Sequence, residues 1–379
     1  MLKSRAVTPP SSEVARQLRT VDHAVADLRR GAAVLLRHDG ADAVVAAAEG
    51  LAPALFDRLA GLAEGRLALV LTRRRAAALG VATPPAPQER GGTVLLPVPA
   101  GAAVGFLHQL ADPGARTDAR LPTGAVPVAQ GAADAAVELT KLARLLPAAV
   151  MGPLSAAVAA GLLNEGLQAV ETAAVMAYQA TAARALERVA EARVPLADAE
   201  NTRIIAFRPG DGGSEHLAIL VGDPDPTAPA LVRLHSECFT GDLLGSLRCD
   251  CGEQLRGAIA EMARTGSGVL LYLAQEGRGI GLPNKLRAYG LQDAGLDTYD
   301  ANEQLGFDAD ERVYLPAAEI LRRLGFSRVR LMTNNPEKVA ALTRCGIAVI
   351  ERVPHVFRAN GHNERYLRSK ASRHGHLLG

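Results

Sequence analysis

Apolar residues recur with a helical period through EVARQLRTVDHAVADLRR, which predicts a helix capped by Ser11 or Ser12 and closed at Gly31. Short apolar runs at AAVLLRH (32–38), LALVLT (67–72) and TVLLPV (93–98) predict buried strands. Helical patterns return at LAPALFDRLAGLA, at AADAAVELTKLARLL and through LQAVETAAVMAYQATAARALERVAEA. This alternation predicts an α/β or α+β unit up to about residue 185, after a flexible lead over residues 1–11.

Near residue 190 the pattern changes. RIIAFR, HLAILVGD and ALVRLHSE read as strands, the first two joined by the Gly-rich connection PGDGGSE. A helix at EQLRGAIAEMARTG leads to the strand VLLYLAQ, and EGRGIGLPNKLRAYGLQ is a Gly-rich turn entering a helix. Helix LPAAEILRRLG, strand RVRLMT, helix NNPEKVAALTRCG and strand AVIERV follow, before a basic tail beyond Pro354. The expected fold class is α/β (α+β): two domains, residues 1–188 and 189–379, each a mixed sheet with packed helices. Polar residues mass at strand ends in the second, where α/β folds place their sites.

Composition narrows the function. With 379 residues, 48% of them apolar, each domain can bury a sizeable core. A net charge of +2 argues against a dedicated nucleic-acid binder. No run of 18 apolar residues suggests a membrane span, and MLKSRAVTPPSSEVARQ lacks a signal-peptide core, so a cytoplasmic protein is expected.

Of the four cysteines, Cys238, Cys249 and Cys251 fall within RLHSECFTGDLLGSLRCDCGEQL, whereas Cys345 reads as a small packed hydrophobe. Thiolates are preferred zinc ligands, and three of them leave an open position on a catalytic ion. The alternative is a closed structural site with His235 as fourth ligand. A redox pair fits less well, because Cys-x-Cys is not the redox spacing.

Two further segments suit phosphate. QEGRGIGLPNK follows a strand and opens a helix, with Gly277, Gly279 and Gly281 permitting close approach and Arg278 adding a charged fork. In TNNPEK, Asn335 is the expected cap and Pro336 the first helical residue, placing Thr333 and Lys338 at a positive helix end. Taken alone, the first is weak evidence against a plain strand-to-helix turn, and the second reads as ordinary capping plus a surface lysine. ANEQLGFDADERVY, with Asp308, Asp310, Glu311 and Arg312, reads alone as a solvated loop with local ion pairs.

Together, RLHSECFTGDLLGSLRCDCGEQL, YLAQEGRGIGLPNKLRAYGLQD, ANEQLGFDADER and LMTNNPEK closely resemble GTP cyclohydrolase II of riboflavin biosynthesis, over about residues 190–379. That family opens the guanine imidazole ring of GTP, releasing formate and pyrophosphate and leaving a diaminopyrimidinone ribosyl phosphate. The resemblance implies that Cys238, Cys249 and Cys251 bind one zinc ion per subunit. It also implies that Arg233, Leu234, His235, Ser236, Glu237, Gln254, Glu276, Gly277, Arg278, Thr298, Thr333 and Lys338 contact GTP. Asp310 becomes the proton acceptor, Arg312 the nucleophile towards the α-phosphate, and Tyr289 a neighbour of the reacting ring. A guanidinium stays protonated at ordinary pH, so a phosphate clamp is the second reading of Arg312. Magnesium with the GTP phosphates and a homodimer are implied too.

The first half resembles, in its apolar framework, the 3,4-dihydroxy-2-butanone 4-phosphate synthase domain of bifunctional relatives. HDGADAV stands where that family carries an acidic magnesium loop, and AADAAVE where it carries a His-Thr-Glu stretch. Alanine supplies no oxygen ligand. The half is therefore expected to be synthase-inactive.

Overall fold

In the computed structural model, residues 12–81, 92–115, 126–128, 131–210, 212–357 and 361 are described. The expected lead (1–11) and nearly all of the basic tail lie outside them. Among the described residues the chain forms two compact units, each drawn from two stretches: 12–178 with 280–311, and 179–279 with 312 onward. The single division at 188/189 cuts the sequence; the packing units interleave along it.

The first unit holds strands β1 (Val34–His38), β2 (Ala41–Ala47), β3 (Ala68–Thr72), β4 (Thr93–Pro97), β5 (Val126–Val128), β6 (Ala148–Leu154) and β7 (Ala169–Glu171). Their order is β5-β4-β3-β6-β2-β1-β7, antiparallel except for the β1–β7 pair. The helices are α1 (Ser12–Arg29), α2 (Pro53–Leu62), α3 (Arg73–Ala78), α4 (Val104–Ala111), α5 (Ala132–Leu142), α6 (Ala156–Asn164) and α7 (Thr172–Arg184), the last running across the boundary between units. Strand alternation feeds two apolar layers. Leu69 and Leu71 join Phe56, Leu59 and Leu107 on one face, while Val45 and Val70 join Val21, Leu28 and Leu139 on the other. HDGADAV folds as a two-residue hairpin turn, with His38 paired to Ala41 and both Asp39 and Gly40 at positive φ. AADAAVE becomes the start of α5, where Asp134 accepts a hydrogen bond from Thr93 Oγ1 at 2.8 Å.

The second unit's sheet contains β8 (Leu186–Arg193), β9 (Thr202–Pro209), β10 (His216–Val221), β11 (Ala230–Ser236), β12 (Gly268–Leu273), β13 (Arg328–Met332) and β14 (Ala348–Val353), in the order β14-β13-β11-β12-β10-β9-β8. Strands β11 to β14 run parallel, and β8 to β10 antiparallel. Helix α8 (Cys251–Arg264) packs Ala258, Ile259 and Met262 on one face. Helices α11 (Leu315–Arg323) and α12 (Pro336–Arg344) pack Ile320, Leu321 and Leu342 on the other. Helices α9 (Leu282–Asp293) and α10 (Thr298–Gln304) belong to the first unit. Both sheets are mixed and carry packed helices, so the fold class is as expected.

One prediction is corrected. The helix expected over LQAVETAAVMAYQATAARALERVAEA spans only Thr172–Arg184: Ala169–Glu171 forms β7 before it, and Leu186–Arg193 forms β8 after it. Antiparallel pairing of β8 with β9 supplies its backbone hydrogen bonds, and this non-local ladder overrides the helical propensity of Leu, Glu and Ala. Among the described residues, no helix is long and apolar enough to cross a membrane.

Candidate active site

Parallel strands β11, β12 and β13 end at one edge of the second sheet. The segments that follow them carry Cys238, Glu276–Arg278 and Thr333–Lys338, so the sheet gathers the expected chemistry at its C-terminal edge.

The Sγ atoms of Cys238, Cys249 and Cys251 lie within 4.8 Å of one another, and those of Cys238 and Cys249 are 3.7 Å apart. A tetrahedral zinc ion, with Zn–S bonds of about 2.3 Å, spaces its sulfurs by about 3.8 Å. The donor set therefore fits that ion. Its floor is Gly241: a Cβ there would lie 2.8 Å from Cys249 Sγ and 3.0 Å from Cys238 Sγ. Cys251 opens α8, where the helix dipole favours a thiolate. Without a cation the crowding acts the other way, and the neighbouring Cys238 thiol pushes Cys249 up to about 11.

His235 is not brought into this cluster. Its Nε2 donates to Asp242 Oδ1 and Oδ2, at 3.0 and 3.1 Å, and its ring stacks on Tyr272 with centroids 5.6 Å apart. Burial outweighs the Asp242 contact and lowers the imidazole's pKa, favouring the neutral ring. Asp242, which sequence reasoning missed, also accepts from Tyr272 Oη and from the Cys238 amide, each at 3.0 Å, with its side chain 6% exposed. Burial, then the Asp242 charge, raises the Tyr272 phenol, so it remains a donor. The one sequence signal for this residue is its place four positions beyond Cys238.

Arg233 is buried; Nη1 donates to Met332 O at 3.1 Å and Nη2 to Gln254 Oε1. Gln254 Nε2 in turn donates to Asp250. Burial, opposed by Asp250, pushes Arg233 down to about 10, which leaves it charged near neutrality. The Leu234 carbonyl accepts from Lys338 Nζ at 2.9 Å. Ser236 Oγ accepts from Gln275 Nε2 at 3.3 Å, and the Glu237 amide donates to Leu273 O at 2.9 Å. Glu276, expected to contact GTP, has carboxylate oxygens that accept from the Phe239 amide at 2.6 Å and the Gly277 amide at 2.8 Å. It thus holds the turn that follows Cys238. Gly277 and Arg278 both adopt φ +64°, which costs a non-glycine residue free energy. Asn335 caps α12 by accepting from the Glu337 amide at 2.9 Å, and Thr333 Oγ1 accepts from the Asn335 amide at 3.1 Å.

Arg312 lies in this unit, its guanidinium carbon 5.8 Å from the Tyr314 ring centroid. Asp310, Tyr289 and Thr298 belong to the other unit. Lys285 Nζ stands 5.7 Å from the Tyr289 ring centroid. Thr298 begins α10, and its side chain lies outside the described structure.

His355 seals the back of the network, Nε2 donating to Gln254 O at 2.9 Å. Burial, and then the Arg233 charge, pushes it down to about 4 from an ordinary 6.5. Between those values the unfolded chain takes up a proton that the folded chain refuses. Stability present above about pH 6.5 is therefore lost as pH falls towards 4, by up to about 3 kcal/mol. Urea unfolding of wild type and His355→Gln from pH 7 to pH 4 is expected to show a shallower decline in the variant. Parallel declines would remove His355 as the source.

Fold and site define an α/β protein whose candidate site gathers beyond the ends of parallel strands. The model of the family GTP cyclohydrolase II matches residues 187–354. GTP cyclohydrolase-2 of Azospirillum brasilense is 56% identical over 376 residues, covering 97% of this chain and 96% of that protein. Riboflavin biosynthesis protein RibBA of a Synechocystis species is 37% identical over 401 residues, covering 94% and 71%. The chain belongs to the GTP cyclohydrolase II family. Among solved structures, RibBX of A. baumannii, a two-domain 3,4-dihydroxy-2-butanone 4-phosphate synthase, aligns over 88% of this chain and 98% of its own. Identity there is 19% and the TM-score 0.36.

Proposed function

We propose that this enzyme hydrolyses GTP at a zinc site formed by Cys238, Cys249 and Cys251, releasing formate and pyrophosphate and leaving 2,5-diamino-6-(5-phosphoribosylamino)pyrimidin-4(3H)-one. The observation that carries the reading is the three-sulfur cluster beyond a parallel strand in a chain of this family. A bound zinc ion supplies Lewis-acid activation of water for attack at guanine C8. The protein's part is to orient and to move protons. Arg233 keeps its buried Nε for an acceptor that the described residues do not supply, which suits a substrate oxygen. Arg278 and Lys338 offset charge as pyrophosphate leaves, with magnesium accompanying the phosphates. Asp310 accepts a proton during ring opening, and Arg312 attacks or clamps the α-phosphate.

The test is incubation of purified protein with GTP and magnesium, with and without a zinc chelator. Formate and the pyrimidine product should appear together and vanish with chelation. GTP binding without formate would favour a non-catalytic nucleotide sensor; ring opening of another base would favour a related hydrolase. The first half is proposed to be inactive as a synthase, because a hairpin turn and a helix start replace the acidic loops. Consumption of ribulose 5-phosphate would refute that.

Asp242 gives a finer check. Ligand-orienting partners are worth about 10- to 100-fold in metal affinity. Asp242→Asn is expected to lower zinc affinity by about that factor, read by chelator competition, with the fold retained. Unchanged affinity would reduce Asp242 to a packing role.

A further inference from the structure

Residues 280–311 lie inside the family-matched stretch, yet they pack with residues 12–178 as one compact unit. After α10 the chain runs without regular structure from Phe307 to Tyr314. Such a segment has no hydrogen-bond ladder of its own, so outside partners set its conformation.

The Val313 amide donates to Gln275 Oε1 at 3.3 Å within the second unit, and the partners of the residues before it come from the first half. Thr72 Oγ1 donates to Gly306 O at 2.7 Å. Arg75, 3% exposed, donates through Nη1 to Gln304 O at 3.0 Å. Arg74 donates to Asp308 Oδ1 at 2.6 Å and to Glu303 Oε1 at 2.5 Å. Lys141 Nζ donates to Glu311 Oε1 at 2.8 Å, with the two side chains 18% and 19% exposed. The same Glu311 oxygen accepts from the Asp308 amide at 2.7 Å, which closes a turn around Asp310. Burial alone would depress the Lys141 ammonium, but the Glu311 charge and hydrogen bond outweigh it and raise its pKa.

The apolar contact is equally close. Leu146 is buried with Ile280, Ala301, Leu305 and Phe307. A Cβ on Gly306, at φ +90°, would lie 2.9 Å from Thr72 Oγ1 and 3.0 Å from Pro147 Cγ. Further along, Asn284 Nδ2 donates to Arg144 O at 3.1 Å, and Arg287 Nη2 to Glu49 Oε1 at 2.7 Å.

We propose that the first half serves the cyclohydrolase reaction as a brace, with Lys141, Arg74 and Thr72 as positioning residues that fix the turn 308–311 and so Asp310. The inference rests on Asp310 acting as proton acceptor. It assigns a task to a half whose own acidic loops are missing.

The test uses the full-length zinc protein. Misplacement by about 1 Å can cost about 10²-fold in rate. Lys141→Ala is expected to lower kcat about tenfold or more, leaving KM for GTP within about twofold and zinc content unchanged. Lys141→Arg should recover most of kcat. The amides of residues 305–311 should exchange hydrogen about tenfold faster in Lys141→Ala than in wild type. Arg58→Ala, which breaks the exposed Arg58–Glu165 pair of the same half, should change none of these. If Lys141→Ala does not fold, Glu311→Gln keeps the side-chain shape and takes its place, with the same signs expected. Unaltered kcat or unaltered exchange at 305–311 in a folded variant overturns the brace. A wild-type chain that releases no formate instead sinks the ring-opening reading, and the exchange comparison still decides the brace.

Discussion

Gly241→Ala is expected to strip the protein of zinc and of formate release while leaving it folded. The backbone at Gly241 is not among the positive-φ positions, so only space is at stake. The added methyl carbon would lie 2.8 Å from Cys249 Sγ, 2.9 Å from Cys251 Cβ and 3.0 Å from Cys238 Sγ. Nonbonded heavy atoms prefer about 3.5–4.0 Å, so all three cysteines must retreat at once. The turn has little freedom to let them. Glu276 holds the Phe239 amide on one side, Asp242 holds the Cys238 amide on the other, and Cys251 is fixed by the first turn of α8. Cys249→Ser reaches the same end by removing one thiolate. Both variants should retain less than about a tenth of wild-type zinc and lose about 10³-fold or more in turnover. None of the three cysteines belongs to the second unit's apolar clusters, so the metal-free unfolding midpoint of Cys249→Ser should stay near that of metal-free wild type. Elemental analysis, formate release and thermal unfolding give the three readouts. Full zinc content with full turnover in Cys249→Ser would end the ligand assignment.

The cysteine cluster was legible because its information is local: three sulfurs within fourteen residues, with a glycine between them. The strands of the second sheet were legible for the same reason, since VLLYL and RVRLM declare burial in their own composition. His235 was ambiguous in sequence, because imidazole suits a ligand and a buried donor equally well. The decision lies with Asp242, whose burial no local pattern announces. LERVAEA misled because its residues favour a helix, while pairing with β9 is a contact across a turn that periodicity does not see. HDGADAV held an Asp-Gly hairpin signal that reading it for absent metal ligands passed over. The docking of residues 280–311 onto the first half was invisible for a deeper reason. Lys141 and Glu311 are separated by 170 positions, and each alone is an ordinary surface charge.

Arg312→Lys is expected to lower turnover about 10²-fold or more while zinc is retained in full. Lysine keeps the positive charge but loses the planar fork, and with it the face set 5.8 Å from the Tyr314 ring. The way the loss divides separates the two roles. As a phosphate clamp, Arg312 contributes to binding GTP as well as to the transition state, so the lysine variant should show a raised KM and preserve part of kcat. As a nucleophile, Arg312 forms a covalent bond to the α-phosphate, which a lysine held elsewhere does not form, so kcat alone should collapse. Rapid quenching with GTP labelled at the α-phosphate reads the difference directly. Label on the wild-type chain and none on the variant means attack; label on neither, with KM raised, means a clamp. A variant that turns over GTP near the wild-type rate removes Arg312 from the chemistry, and the α-phosphate is then held by other groups.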